Sequence, residues 1–527
     1  MRHLFWAAAI VMTLCCCTTK TNDKADFDAT SVDVCIYGGT SASVTAARAA
    51  AEEGCTVTLI CPDIVLGGMT TGGLGATDIG NKVAIRGMAR DFYRALGAHY
   101  GVEEQWTFEP HVASEILDSW VDNPKIKVLT EYYLTGIVKK GTRIRSITCQ
   151  GEDGAVTIKA KCFIDCSYEG DLMAMAGVSY HVGREASSVY GESLNGSQLR
   201  DKHQFVDGID PYVIPGDPDS GLLWGISKQT LKADGEGDDY VQAYNFRLCL
   251  SNDPDNQIPF TKPDNYDPSH YELLVRVLQA DPNPFYKRYF GWSLMPNGKT
   301  DVNNSGPFST DMIGMNYEYP DAGWERRKEI IQAHKDYTLG LMYFYVSDPR
   351  VPESMREEIK KWGWAKDEYP KTGGWTHQLY IREARRMIGE YVATQADCEG
   401  KASVEDGVGY AAYTMDSHNC ERLVIEKDGK LMVKNEGDVQ VRGGIPYYPI
   451  SYRSITPKRE ECTNLLVPVC LSASHIAYGS IRMEPVFLGL GQAAGMAAAI
   501  AGRKPVQTID ITPIQEKVEY GDNPKYK

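Results

Sequence analysis

Basic charge is in deficit in this sequence: 55 Lys and Arg stand against 70 Asp and Glu, a formal net charge of −15 over 527 residues. A nucleic-acid partner, which demands a basic face against its phosphates, is excluded on that balance. Beyond residue 17, close cysteine pairs are missing too. None of the 14 cysteines stands in a C-x-x-C or a metal-ligand spacing, so neither a dithiol redox centre nor a resident metal is expected. The cysteines beyond residue 17, from Cys35 to Cys470, are odd in number, and several lie in apolar runs where a thiol behaves as a small hydrophobe. They read as reduced and structural. Internal repeats are absent. So is a second glycine-rich strand–turn–helix, which leaves no place for a separate nicotinamide-binding domain.

What the chain does have is concentrated between residues 33 and 62. Residues 34–37 form a short apolar run ending at Gly38-Gly39, the pattern of a buried parallel strand and a tight turn. Small helix formers follow from Ser41 (Ala42, Ala46, Ala47, Ala49, Ala50), and Glu52-Glu53-Gly54 closes the helix. A second apolar run, 56–60, completes a β-α-β unit of mononucleotide-binding size. Such a unit aims backbone N–H groups and a helix N-terminus at one point, where a pyrophosphate can sit. The motif departs from G-x-G-x-x-G, with Thr40 and Ser43 standing for its second and third glycines. The acid expected at the end of the second strand, to bond a ribose hydroxyl, is replaced by Cys61, with Asp63 two residues on.

Ahead of this unit, Arg2 and His3 precede an apolar stretch, residues 4–14, too short to span a bilayer. It runs into Cys15-Cys16-Cys17 and a polar linker, residues 18–31. The pattern resembles a bacterial lipoprotein signal (1–17) with Cys17 as the lipidated residue; a plain secretory signal is the alternative. No twin arginine is present, so export is expected unfolded, with any cofactor loaded outside the cytoplasm. After the β-α-β unit, residues 66–80 (LGGMTTGGLGATDIG) form a loop that lets something flat or charged approach the backbone, or a plain flexible loop. Helices are predicted over 85–100 and 110–121, then a β-meander at 126–129, 132–139, 143–150 and 155–164. Its last strand delivers Asp165-Cys166-Ser167, where an α/β sheet presents ligands, ahead of a helix at 172–176. Residues 184–444 change texture, rich in Tyr, Trp, Pro, Asp and Asn, with helices predicted over 324–345 and 377–395. Core-like sequence resumes at 445 and includes a Gly/Ala-rich helix, 488–501, with Gly489, Gly491 and Gly495 spaced for close helix packing. Residues 511–527 read as a tail.

The order of these parts, with the blocks LGGMTTGGLGATDIG (66–80), YIREARRMIGEY (380–391) and LSASHIAYGSIRMEPVFLGLGQAAGMAAA (471–499), resembles the FAD-dependent oxidoreductase family. That family is built on the glutathione-reductase type flavin fold, and the chain looks like a bacterial lipoprotein member. The resemblance covers nearly the whole mature chain. It implies an α/β fold: a Rossmann-like FAD-binding domain with a β-meander, made from residues 32–183 and 445–510, plus an inserted α+β substrate or cap domain, 184–444. It implies FAD held by Gly38, Gly39, Thr40, Ser41 and Ala42 at the pyrophosphate, and by Gly67, Gly68, Met69 and Thr70 near the phosphates and flavin. Asp165 and Ser167 would lie alongside. Ser480, Arg482 and the stretch 489–495, with Gly491, would meet the flavin ring as a helix start. The same resemblance implies a small-molecule substrate, an unidentified electron acceptor and a membrane met only through the lipid anchor, in the cell envelope.

Flavin oxidation of an alcohol or amine needs a base for the heteroatom proton. His418, in a polar turn beside Asp416, reads as that base or as a surface histidine. His475 is a second candidate or a hydrogen-bonded core histidine. Arg382, Arg385 and Arg386 fall at i, i+3 and i+4 of the predicted helix and so share a face. That face invites an anion, a substrate carboxylate or the cofactor's phosphates, with Arg382 and Arg482 the candidates for catalysis; Glu383 and Glu390 could instead neutralise it. Trp292, Trp324, Trp362, Trp364 and Trp375 would suit stacking on sugar rings, or plain core. The expected reaction is oxidation of a carbohydrate or hydroxy-acid derivative. A flavin-dependent lyase or isomerase is one alternative. A glycan-binding lipoprotein with a degenerate flavin site is another, kept open by Thr40, Ser43 and Cys61.

Overall fold

The computed structural model describes residues 27–521, so the signal stretch and Cys17 lie outside the described residues. The first apolar run is strand β1 (Ser31–Tyr37), followed by helix α1 (Ser41–Glu52) and strand β2 (Val57–Cys61). Strand β3 (Ile126–Thr130) and the meander β4 (Tyr133–Lys140), β5 (Arg143–Gly151) and β6 (Gly154–Asp165) complete the run. In space the order is β3-β2-β1-β6-β5-β4, a Rossmann-like arrangement whose first four members are parallel. Every residue of β2 is buried, as a strand covered on both faces must be.

The far end of the chain returns to this sheet. Leu465–Leu466 pairs with β6 in parallel, and the Asn464 amide clasps the Ile144 backbone, accepting from its N–H at 2.9 Å and donating to its C=O at 3.0 Å. Between β2 and β3 the chain forms helices α2 (Gly87–Tyr100) and α3 (Pro110–Val121). Helix α4 (Trp324–Ser347) follows later, and helix α5 (Glu484–Ala501) runs against α1. Small residues set that last crossing. A Cβ on Gly491 would lie 2.2 Å from the Ala42 carbonyl oxygen, and one on Gly495 2.2 Å from that of Ala46. Among the described residues α5 alone is long and apolar enough to cross a membrane, and 78% of it is buried inside the protein. It is a core helix.

The middle of the chain builds a second, antiparallel sheet in the order Gln257–Ile258, Gly363–Ala365, Leu248–Ser251, Lys299–Asn304, Phe290–Met295. Its tryptophans meet edge to face, Trp364 with Trp375 at 5.3 Å and Trp292 with Trp362 at 5.1 Å, which is core packing. All the described cysteines are unpaired, and every one but Cys55 is buried.

Two expectations fail. Residues 377–395 are not a helix; Arg385–Met387 is a strand paired antiparallel with Tyr180–Val182. The three arginines therefore share no helical face. Arg385 binds Asp171 and Asp321, Arg386 binds Glu185, and Arg382 lies 2.8 Å from Asp311. Buried guanidiniums need separate acids, and the i, i+3, i+4 spacing reflects those separate pairings. The tail also differs: Thr512–Lys517 is a short helix with Ile514 buried.

The α1–α5 contact yields a paired prediction. Gly491→Leu should destabilise the protein by about 3 kcal/mol, since the backbones cannot separate locally. Gly489→Ala, whose Cβ meets nothing within 4 Å, should be neutral or stabilising by up to about 1 kcal/mol. Urea midpoints of the two variants check the contrast.

Candidate active site

Backbone sits on backbone around the turn after β1. Gly38 adopts φ +108°, and a Cβ there would lie 2.3 Å from the Ser167 nitrogen, so only glycine fits. The Gly67 N–H donates to the Gly39 carbonyl at 2.7 Å, which brings the 66–70 segment against the turn. Asp165 holds the third strand of chain in place. Its Oδ1 accepts from the Ser167 N–H at 3.0 Å and hydroxyl at 2.6 Å, and its Oδ2 from the Met173 N–H at 2.8 Å. Burial pushes its carboxyl up to about 6. Asp165 thus shapes the segment; it is fully buried and lines neither the cavity at this turn nor the neighbouring cleft.

One acid joins all these pieces. Glu484, the first residue of α5, accepts on Oε2 from the Ser41 hydroxyl at 2.6 Å and the Thr70 hydroxyl at 2.7 Å. Its Oε1 accepts from the Tyr168 hydroxyl at 2.6 Å, which in turn accepts from the Met69 N–H at 2.9 Å. Burial raises its pKa. Sequence reasoning missed Glu484, although it is the sole charged residue in the 18 residues of α5.

Gly38, Gly39 and Thr40 line a cavity of about 170 Å³ together with Asp63, Ser167 and His377. Tyr168 is shared between this cavity and a narrow cleft bounded by Asp78, Tyr380, Arg382, Arg482 and Glu484. Behind the cleft lies a network of charges. Arg482 donates to the Tyr380 hydroxyl at 2.9 Å, the Gln242 amide oxygen at 3.1 Å and the Asp416 carbonyl at 3.0 Å. His418 Nδ1 is 2.8 Å from Asp311 Oδ2, and its Nε2 is 3.8 Å from Asp416 Oδ2. Burial, reinforced by the Arg382 charge, holds His418 down to about 4.

Of the residues singled out in the sequence, Arg382, Arg482 and His418 therefore lie together. His475 sits beside them with both ring nitrogens engaged, Nδ1 at 2.9 Å from Glu383 and Nε2 at 3.0 Å from Ser417; it is a core histidine. Ser480 is fully buried between the Tyr413 carbonyl and the Tyr448 hydroxyl. Gly491 lies two turns inside α5, against Ala42, and not at a helix start. The Thr40 hydroxyl donates to the Cys166 carbonyl at 2.8 Å. With Ser41 and Thr70 held by Glu484, backbone N–H groups of the turn and the first helical turn remain to meet a phosphate. Gln242, Asp311 and Tyr168 carried no local sequence signal, and Tyr380 only as the first residue of the block 380–391. A possible cation group, Glu109, His111 and Glu368, already surrounds the Lys299 ammonium, 2.7 Å from each of the two glutamates.

Residues 33–518 match the family described as FAD dependent oxidoreductase, so the chain belongs to that family, and FAD is the cofactor this membership assigns to it. The residues present fit the group. A glycine turn opens on the cavity, and His377 Nε2, buried at the cavity wall, has no hydrogen-bond partner. No curated protein sequence matches the chain. Solved structures give partial likenesses. The L-proline dehydrogenase from P. horikoshii is 18% identical over 30% of this chain and 25% of its own, with a TM-score of 0.18. THI4 of Thermovibrio ammonificans is 17% identical over 31% of this chain and 71% of its own, TM-score 0.24. PnpA, a p-nitrophenol 4-monooxygenase from Pseudomonas putida DLL-E4, is 11% identical over 32% and 51%, TM-score 0.22. This chain spans a quarter to a half of the length of the first and third. Likenesses of this extent say nothing about its reaction.

Glu484→Ala would leave three buried donors unpaired and should destabilise the fold by about 3 kcal/mol or more. It should also strip FAD from the protein. Flavin absorbance per mole of purified chain checks this, and full retention would contradict the role given to Glu484.

Proposed function

We propose that this chain oxidises a small molecule, a carbohydrate or hydroxy-acid derivative, at a carbon bearing a hydroxyl or amine. It would do so in the bacterial cell envelope, tethered through Cys17, with residues 184–444 facing the substrate and both ends of the chain holding the cofactor on a glutathione-reductase type fold. FAD, when bound, supplies the acceptor for the hydride; an acceptor outside this chain takes the electrons on.

The His418–Asp311 pair carries the proposal. A carboxylate can only accept, so Nδ1 bears the ring proton and Nε2 is left as a base. With a pKa near 4, His418 is neutral and ready at pH 7. It does not line the cleft. Asp416 does not line it either, but the cleft residue Arg482 touches it. With Oδ1 buried and unpartnered and Oδ2 3.8 Å from Nε2, Asp416 would relay a substrate proton to His418 only once the two come within hydrogen-bond reach. Arg482 balances the Asp416 charge from the cleft side, 3.4 Å away. The Tyr380 hydroxyl, which accepts from Arg482, has its own proton left to orient a substrate oxygen.

Anaerobic mixing with a panel of sugars, sugar alcohols and hydroxy acids should bleach the flavin with one class. Turnover without bleaching would indicate non-redox chemistry and overturn the proposal. With that substrate, kcat/KM should rise with pH across the acid range, because His418, held down to about 4, and Asp416, raised by burial, both work deprotonated. His418→Asn should lower kcat/KM by about 10²–10⁴-fold, remove the part of that limb near pH 4 and leave flavin content unchanged. An unaltered pH profile would exclude His418.

A further inference from the structure

The far end of the 170 Å³ cavity holds a pair of side chains that the reaction does not use. Asp63 follows β2 by two residues, and His377 comes from the middle of the chain. Both line the cavity that the Gly38–Thr40 turn opens on. The His377 side chain is only 3% exposed, and its Nδ1 lies 2.5 Å from Asp63 Oδ2. The other carboxylate oxygen, Oδ1, accepts from the Ile64 N–H at 2.6 Å. Since the carboxylate accepts only, the ring proton sits on Nδ1, and Nε2 becomes an acceptor. That Nε2 is buried and has no partner. His377 also lines a larger neighbouring cavity of about 370 Å³, beyond Val65, so it stands on a wall between two open spaces.

Cys61, where an acid is expected, cannot serve. It is fully buried, and its Sγ lies 2.1 Å from where a Gly39 Cβ would be, directed at the turn itself. Its thiol is pushed well up by burial and stays neutral.

We propose that Asp63, held in place by His377, binds the ribose hydroxyls of the adenosine half of FAD, taking over the contact that Cys61 cannot make. Asp63 and His377 themselves offer acceptors: two carboxylate oxygens with a lone pair to spare and the His377 Nε2. They therefore suit a ligand that presents donors, such as a vicinal diol, while Lys328 and Gln378 line the same cavity as donors. The pair also lies in the same cavity as the turn that would take the diphosphate, which is where a ribose joined to that diphosphate must fall. Because His377 belongs to residues 184–444, FAD affinity becomes dependent on that region's docking. The inference rests on the FAD reading above.

The test titrates apo wild-type protein, Asp63→Asn and His377→Phe with FAD, with its 2′,3′-dideoxyadenosine analogue and with FMN, following flavin fluorescence. Wild type should bind FAD about tenfold or more tighter than the dideoxy analogue, as expected for a hydrogen bond to a charged group. In Asp63→Asn that preference should fall below about threefold, with FAD weakened and the analogue unchanged. His377→Phe should show the same pattern more mildly, and neither change should alter FMN binding. Equal preference in wild type and Asp63→Asn overturns the proposal. If the variants fail to fold by circular dichroism, the wild-type ratio decides, and a ratio near one overturns it. Wild type that binds FAD without discriminating defeats this inference alone; wild type that takes up no FAD defeats the cofactor reading as well.

Discussion

A buried carboxylate with three hydroxyl donors is the interaction on which the rest of the molecule depends. Glu484 stands at the start of the C-terminal helix, and its partners are Ser41, Thr70 and Tyr168, drawn from three separate stretches of the N-terminal half. Taking a carboxyl group out of water costs several kcal/mol unless its oxygens are met. Here each oxygen is met, and the geometry that meets them also fixes the turn at Gly38, the 66–70 segment and the strap after β6. The neighbouring helix crossing, where glycines let α5 touch α1, supplies the contact area that keeps the carboxylate in place.

From this joint the functional surface extends in two directions, with Tyr168 between them. On one side the glycine turn leads to Asp63 and His377, a wall that accepts hydrogen bonds. On the other side a cleft leads to Tyr380 and Arg482, and behind them to Asp416, His418 and Asp311. Opposite charges are interleaved there, so the cluster is close to neutral despite its burial. A neutral buried cluster with one histidine nitrogen free is suited to handling a proton, and less suited to binding a substrate by its charge.

The N-terminal half of the fold was legible because its signals are local. An apolar run, a glycine turn and an alanine-rich helix repeat at spacings that backbone geometry dictates, and the meander is punctuated by hairpin turns. The return of residues 464–501 to the same sheet became readable only through resemblance of whole blocks to a family. Residues 377–395 were misread because arginines at helical spacing imitate an amphipathic face, while their acids, Asp171, Glu185, Asp311 and Asp321, lie far away in sequence. The close helix packing expected of Gly491 and Gly495 is what the structure shows; the flavin contact that the resemblance implied for Gly491 is what fails, because the same glycine cannot both touch α1 and open to a ligand. The Asp63–His377 pair spans 314 positions; Asp63 stands two residues past the motif's acid position, but His377 carries no motif.

The most direct measurement of the central claim is a crystal structure of the protein soaked with FAD. The account predicts one FAD per chain, its diphosphate against Gly38–Thr40 and its ring system at the cleft bounded by Tyr380, Arg482 and Glu484. FAD bound elsewhere, or bound here only after the C-terminal helix has moved away from Ser41 and Thr70, would contradict it.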